Sequence, residues 1–272
     1  SLITLVFTDN TNVYFARQLV MERLIEVSNR LPPGITPVLG PVSSGLGEVY
    51  QYTIEHPNDG KRQLTEEELT QRRVVQDWVL RPLLRSIPGV AEINSQGGFV
   101  KQYHVLVNPE RLRHYKIRLS DVYDAVARNN ANSGGGVLPQ AAEQYLIRGV
   151  GLVNGLSDLG QIVLKETNGT PVYMRDVAEI KFGHEVRQGA VIKNGDTEAV
   201  GGIVMMLTGG NAKEVVSRIK ARVKEINDRD MLPGGLKVTP YYDRSELVDA
   251  ALWTVTKVLI EGVVLVVIVL FL

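Results

Sequence analysis

Three stretches of this chain are written on one plan: an apolar run, an amphipathic helical stretch, a Pro-Gly turn and another extended run. The first is LITLVFTDN (Leu2–Asn10), a helix from about Asn12 to Arg30, LPPG (Leu31–Gly34) and ITPVLG. The second is VYQYTIE (Val49–Glu55), a helix from about Thr65 to Ser86, IPG (Ile87–Gly89) and VAEINSQG. The third is GGIVMMLTGGN (Gly201–Asn211), a helix to about Asp230, LPGG (Leu232–Gly235) and LKVTPYYD. A repeat of this kind constrains the fold before any single residue does. A βαβ unit carries one apolar helix face, and that face must cover a sheet. Two units packed together make a ferredoxin-like split βαβ sandwich. The second and third units are the expected partners, and the first is expected to pair with a unit upstream of Ser1.

Local signals mark the ends of these units. Thr65 and Glu68 have the spacing of a capping box, in which hydroxyl and carboxylate each take a backbone N–H. Asn211 is the predicted N-cap of the third helix. Val215, Val216, Ile219, Val223 and Ile226 form one apolar stripe along it, with Lys213, Arg218, Lys220 and Lys224 elsewhere. Pro and Gly then stop each helix and permit the chain to reverse.

Between the second and third units lies an insertion, residues 104–184. It reads as a strand (Tyr103–Val107), NPERLRHYKI, a helix capped by Ser120 and running to about Asn130, and a flexible joint, ANSGGG (Ala131–Gly136). Extended segments are expected around Gln144–Val150, Gln161–Lys165 and Pro171–Ile180. The chain then divides into a partial βαβ subdomain (1–46), two halves of a second (47–103 and 185–245), the inserted α+β subdomain (104–184) and a tail (246–272). The fold class is α+β.

The tail is GVVLVVIVLFL (Gly262–Leu272). Counting back to Ala250 gives the length of a bilayer span, about 20 largely apolar residues, interrupted by Lys257 and Glu261. The expected reading is the start of a transmembrane helix; a buried C-terminal strand is the alternative, because Val and Ile favour strands. With Ser1 in place of an initiator Met, the chain is expected to be a piece of a larger membrane protein.

Charge and composition exclude several functions. The 30 Lys and Arg balance 30 Asp and Glu with no basic block, which argues against nucleic-acid binding. The chain has no Cys, so disulfides, Cys-ligated zinc and iron–sulfur sites are ruled out within it. No Ser-His-Asp set, HExxH or GxGxxG after a strand is present, so no enzyme is predicted.

GPVSSGLGEVYQY (Gly40–Tyr52) is rich in Gly and Ser. A phosphate loop would end in Gly-Lys-Ser/Thr and lead into a helix; here Glu48 leads into a strand, so the stretch reads as a linker. Glu48 stands beside Gly45 and Gly47, where small neighbours permit close approach. A carboxylate so placed suits a hard or borderline cation, or else it is a solvated strand-edge charge. His56, His104, His114 and His184 are never spaced i, i+4, and the His184-Glu185 pair falls short of the three or four ligands of a zinc site. Met205 and Met206 are soft donors, but adjacent strand residues face opposite ways, so they cannot chelate one ion. Glu66, Glu67 and Glu68 are first-turn charges that favour the helix dipole.

Taken in order, several long stretches resemble the inner-membrane pump of heavy-metal exporters, the metal branch of the resistance-nodulation-division (RND) family. They include SLITLVFTDNTNVYFARQLVMERL, LPPGITPVLGPVSSGLGEVYQYTIE, LRSIPGVAEINSQGGFVKQYHVLVNPERL, GLSDLGQIVLKETNGTPVYMRDVAEIKFG, MLTGGNAKEVVSRIKARVKEI and LPGGLKVTPYYDRSELVD. The resemblance implies two porter subdomains and a docking subdomain, with residues 1 to about 245 in the periplasm and the tail entering the bacterial inner membrane. It implies a proton-driven antiporter that works as a homotrimer with a periplasmic adaptor (membrane fusion) protein and an outer-membrane channel. No cofactor is implied; the substrate is a transported divalent metal ion. In pumps of the cobalt-zinc-cadmium type the GLGE segment carries a carboxylate near the porter cleft, and copper–silver pumps tend to have an apolar residue there. Glu48 is therefore the implied metal-binding residue, with zinc, cobalt, cadmium or nickel favoured over copper or silver. The alternatives are a membrane-tethered binding or assembly module without transport, and a multidrug RND pump. The low aromatic content, 6%, argues against the latter.

Overall fold

The computed structural model describes residues 3–271 except 9, 29, 33, 44–46, 141–142 and 168, which leaves Pro33 of the first Pro-Gly turn and Gly45 of the linker outside the described residues. Two compact units emerge: residues 1–98 with 189–272, and residues 99–188.

The first unit is built on four strands, β1 (Glu48–Glu55), β2 (Val90–Gln96), β3 (Gly201–Met206) and β4 (Lys237–Asp243), in the order β4-β1-β3-β2. Every neighbouring pair is antiparallel. That order is the split βαβ sandwich: β3 of one repeat slots between β1 and β2 of the other. Between β1 and β2 run α2 (Glu66–Val75), a π turn (Gln76–Leu80) and α3 (Arg81–Arg85). Between β3 and β4 runs α4 (Ala212–Asp228). The five apolar positions of the α4 stripe are all buried, Ile219 and Ile226 completely. Tyr52, Ile54, Ile93, Val204 and Val238 of the sheet and Leu69, Leu80 and Leu84 of the helical segments between β1 and β2 are buried as well. Each fully buried side chain of this size stabilises the unit by about 1.5–3 kcal/mol before conformational entropy is subtracted.

Both helix starts follow the predicted chemistry. Asn211 Oδ1 accepts from the N–H groups of Lys213 and Glu214. At Thr65 both halves of the capping box are formed, with Glu68 Oε2 2.9 Å from the Thr65 N–H. Thr65→Ala is expected to cost about 1 kcal/mol and to lower the melting midpoint of the detergent-solubilised protein by roughly 2–4 °C. Thr65→Ser should restore most of it.

The first repeat departs from expectation. Its helix, α1 (Val13–Ser28), forms. Residues 3–8 and 35–40, however, form neither strand nor helix. A strand exists only as one side of a ladder, and among the described residues neither segment has a partner strand. Accordingly only Ala16 of α1 is buried, while Tyr14, Phe15, Met21 and Ile25 are exposed.

The second unit pairs strands Lys101–Val107 and Ala178–His184 and packs short helices on them. Leu112, Val122, Leu159, Met174 and Val177 belong to its core. Three predictions are corrected here. The helix Leu119–Arg128 starts before Ser120; Arg118 is its N-cap, and Asp121 Oδ2 takes the Arg118 N–H at 2.9 Å. The extended segment 171–180 is broken by a helical turn, Met174–Val177, because Met174 and Val177 both turn into the core. The ANSGGG joint lies largely inside a hairpin, Ser133–Gln140 with Glu143–Gly149. Gly135 is there for close approach and not for flexibility, since a Cβ on it would lie 2.1 Å from the Ile147 carbonyl oxygen.

The tail is helical, α5 (Arg244–Phe271), and the strand alternative is overturned. Its 28 residues span about 42 Å at the α-helical rise. It is long and apolar enough to cross a membrane. The two charges in its apolar stretch from Ala250, Lys257 and Glu261, stand one turn apart and face each other at 3.8 Å.

Candidate functional site

Glu48 opens β1 at the point where the ladders become irregular. It stands opposite Met205 of β3, and the register slips between Glu48 and Tyr50. On the other side of β1 the register to β4 slips between Gln51 and Tyr52, which leaves Tyr241 without a direct opposite. Such slips bend a strand and re-aim its side chains. Val49 and Tyr50 are buried as a result, while Glu48 stays half-exposed. Gln51 faces Ile203 and Tyr242, and its Nε2 donates to Glu48 Oε2 at 3.3 Å. The Tyr241 phenol is held above its ordinary pKa, first by burial and then by the negative field of Glu48.

The linker in front of Glu48 is strapped to the same sheet. Thr208 N–H donates to Val42 O at 3.2 Å, and Ser43 Oγ donates to Met206 O at 3.0 Å. Gly47 is buried, and a Cβ on it would lie 2.5 Å from Ser43 Oγ and 3.0 Å from Met206 O. Only glycine lets the linker pass close enough to set Glu48 at the start of the strand. Gly45 lies outside the described residues.

Chemically the site offers one carboxylate, one amide, a phenol and a thioether. A single negative charge with neutral donors suits one edge of a cation's coordination shell and not a complete cage. Among the described residues no three His, Asp or Glu come together as a metal site. The four histidines are engaged separately: His56 Nδ1 accepts from Asn58 N–H at 3.1 Å, His104 contacts Gln102 at 3.2 Å, His114 packs edge-on to Tyr115, and His184 packs on Phe99. Met205 is buried and Met206 only partly so. Sequence reasoning found Glu48 and missed Gln51 and Tyr241, because two ladder irregularities bring them beside it.

A family model described as the AcrB/AcrD/AcrF family matches residues 1–272. The chain is 45% identical over 273 residues to Protein HelA of Legionella pneumophila, covering 100% of the chain and 26% of HelA. It is 44% identical over 274 residues to the cobalt-zinc-cadmium resistance protein CzcA of Cupriavidus metallidurans, covering 100% of the chain and 25% of CzcA. An X-ray crystal structure of a heavy metal efflux pump (crystal form II) superposes with a TM-score of 0.81 at 35% identity, covering 94% of the chain and 25% of that pump. The chain thus spans about a quarter of the length of the relatives it matches.

Proposed function

The chain belongs to the AcrB/AcrD/AcrF family, in the heavy-metal branch of the RND transporters, and from that premise we propose that it is the porter and docking portion of a proton-driven efflux pump for divalent metal cations. The single observation that carries the metal reading is Glu48, a half-exposed carboxylate at the bulged start of a central strand, with neutral oxygen and sulfur donors around it. The likeness to a cobalt-zinc-cadmium resistance protein, and to a nickel-cobalt-cadmium resistance protein at 36% identity, supports zinc, cobalt, cadmium or nickel over copper or silver. In this reading Glu48 supplies one charged ligand to the passing ion, and the remaining ligands come from elsewhere in the complete protein. A site with few charges binds without trapping. The four-stranded sandwich rocks as a rigid body and opens or closes the cleft beside β1.

The helix α5 enters the bacterial inner membrane, and residues 1 to about 245 lie on the periplasmic side. The protein works as a homotrimer with a periplasmic adaptor and an outer-membrane channel. The hairpin of the second unit supports a protein-facing role, because Leu138, Tyr145, Leu146 and Ile147 are all exposed on it.

Glu48→Gln in the complete pump tests the reading in an export-deficient bacterium. Zinc and cobalt tolerance should fall by about tenfold, as for loss of a contact that orders a metal, at normal protein level and with copper tolerance unchanged. Unchanged zinc tolerance would return Glu48 to a surface charge.

A further inference from the structure

The membrane-length helix follows the sheet with no linker: β4 ends at Asp243 and α5 begins at Arg244. Asp243 is where sheet, α4 and α5 meet. Its carboxylate pairs with Lys220 of α4. The same carboxylate accepts from Ser245 N–H at 2.8 Å and from Ser245 Oγ at 2.7 Å. Lys220 Nζ also reaches Ser245 Oγ at 3.1 Å, which closes a triangle of contacts. Across the ladder Asp243 stands opposite Tyr50, which is fully buried. The Asp243 side chain is only 8% exposed. A second, exposed pair joins the same two helices, Lys213 Nζ to Asp249 Oδ1 at 2.6 Å. Along all of α5, Ser245 is the one buried residue among those described.

These contacts are directional where apolar packing would slide. The Lys220 side chain is 49% exposed, so the ion pair is half solvated and adds little net stability. Its distinguishing property is fixed geometry. Burial pushes the Asp243 carboxyl up, but Lys220 and the two Ser245 donors outweigh it and hold the group below the usual carboxylate range. It therefore stays charged at neutral pH.

We propose that Asp243, Lys220 and Ser245 form a coupling clasp that makes the start of the membrane helix and the α4–β4 half of the sandwich move as one body. The clasp rests on the transport reading above. Lys220 and Asp243 are positioning residues: they touch no ion, and they carry displacement of α5 to the sheet that holds Glu48.

The test measures zinc export rate and equilibrium zinc binding separately on the purified complete pump in vesicles. Lys220→Met should lower the maximal export rate about tenfold while zinc binding and the half-saturating zinc concentration change less than twofold. Lys220→Arg, which keeps the charge, should export within twofold of wild type. A wild-type export rate for Lys220→Met would overturn the clasp, and so would a parallel loss of binding and export, which marks a merely structural role. Where Lys220→Met does not assemble, Lys213→Cys with Asp249→Cys serves instead. The oxidised cross-link should leave export running, because the two helices keep their relation through the cycle; arrested export restored by reduction would overturn the proposal. Wild-type pump that exports no metal would overturn the transport reading itself, a result distinct from normal export by the Lys220→Met pump.

Discussion

Replacing Arg72 by Met is expected to destabilise the first unit by about 3–5 kcal/mol, the cost of breaking a buried pair by removing one partner. The Arg72 side chain is 6% exposed and that of Asp59 16%. The pair is bidentate, Nη1 to Oδ2 at 2.8 Å and Nη2 to Oδ1 at 2.7 Å. Nη1 also donates to Ile54 O at 3.1 Å, and Asp59 Oδ2 accepts from His56 N–H at 2.7 Å. One guanidinium thus joins α2, the end of β1 and the loop after it. Met fills much the same volume but removes the two paired donors from the Asp59 carboxylate, which keeps only the His56 N–H and Arg62 at 3.6 Å, and takes a donor from the Ile54 carbonyl. The melting midpoint of the detergent-solubilised protein should fall by roughly 10 °C. Arg72→Lys should recover only part of this, since an ammonium cannot make the paired geometry.

The same pair gives a pH signature. Burial raises the Asp59 pKa, but Arg72 and the His56 N–H outweigh it and the group sits below its ordinary value. A depressed carboxylate contributes stability above its unfolded pKa, about 3.9, and loses it as pH falls through the folded value. Wild type should therefore lose stability on acidification below about pH 4. In Arg72→Met that contribution is already missing, so the gap between the two proteins should narrow between about pH 5 and pH 2. A gap that stayed constant would mean the cost came from packing and not from charge.

What could be read from the residues was local. The α4 stripe, the Thr65–Glu68 box and the Asn211 cap are set by spacings of a few residues, and each appears as expected. The 4-1-3-2 sheet was legible because two copies of one βαβ plan have few ways to share a core. Features decided by contacts distant in sequence were not. The π turn at Gln76–Leu80 carries no local breaker; it places Gln76 to accept from Tyr52 Oη at 2.9 Å and to donate to Ser95 Oγ at 3.3 Å. The apolar run before α1 looks like a strand, yet a strand also needs a neighbour, and no local pattern supplies one. At the candidate site the carboxylate was visible beside its glycines. Its company was not, because Met205 and Tyr241 arrive from β3 and β4 through ladder irregularities.

Gly201→Ala should be among the most damaging single-methyl changes in the chain. Gly201 begins β3 opposite Thr53 on one side and Gln96 on the other. Its φ lies outside the left-handed region, so the constraint is space and not backbone conformation. A Cβ there would lie 2.2 Å from the Tyr52 carbonyl oxygen and 3.2 Å from its carbon. Backbone in a central strand cannot swing aside as a side-chain tip can. β1 and β3 would have to separate, loosening ladder bonds at the centre of the sheet. Tyr52, fully buried, would carry its hydroxyl away from Gln76 and leave two polar groups without partners in the core. Overpacking costs typically about 1–3 kcal/mol and an unsatisfied buried polar group about 1–3 more, so a total of roughly 3–5 kcal/mol is expected. Gly189→Ala is the control, because a Cβ there meets nothing within 4 Å, and it should stay within about 0.5 kcal/mol of wild type. Denaturant midpoints of the two variants decide it. A small effect at Gly201 would mean the central ladder yields easily, which would also count against the sandwich rocking as one rigid body, since a sheet that shears at β1 and β3 cannot transmit motion to Glu48.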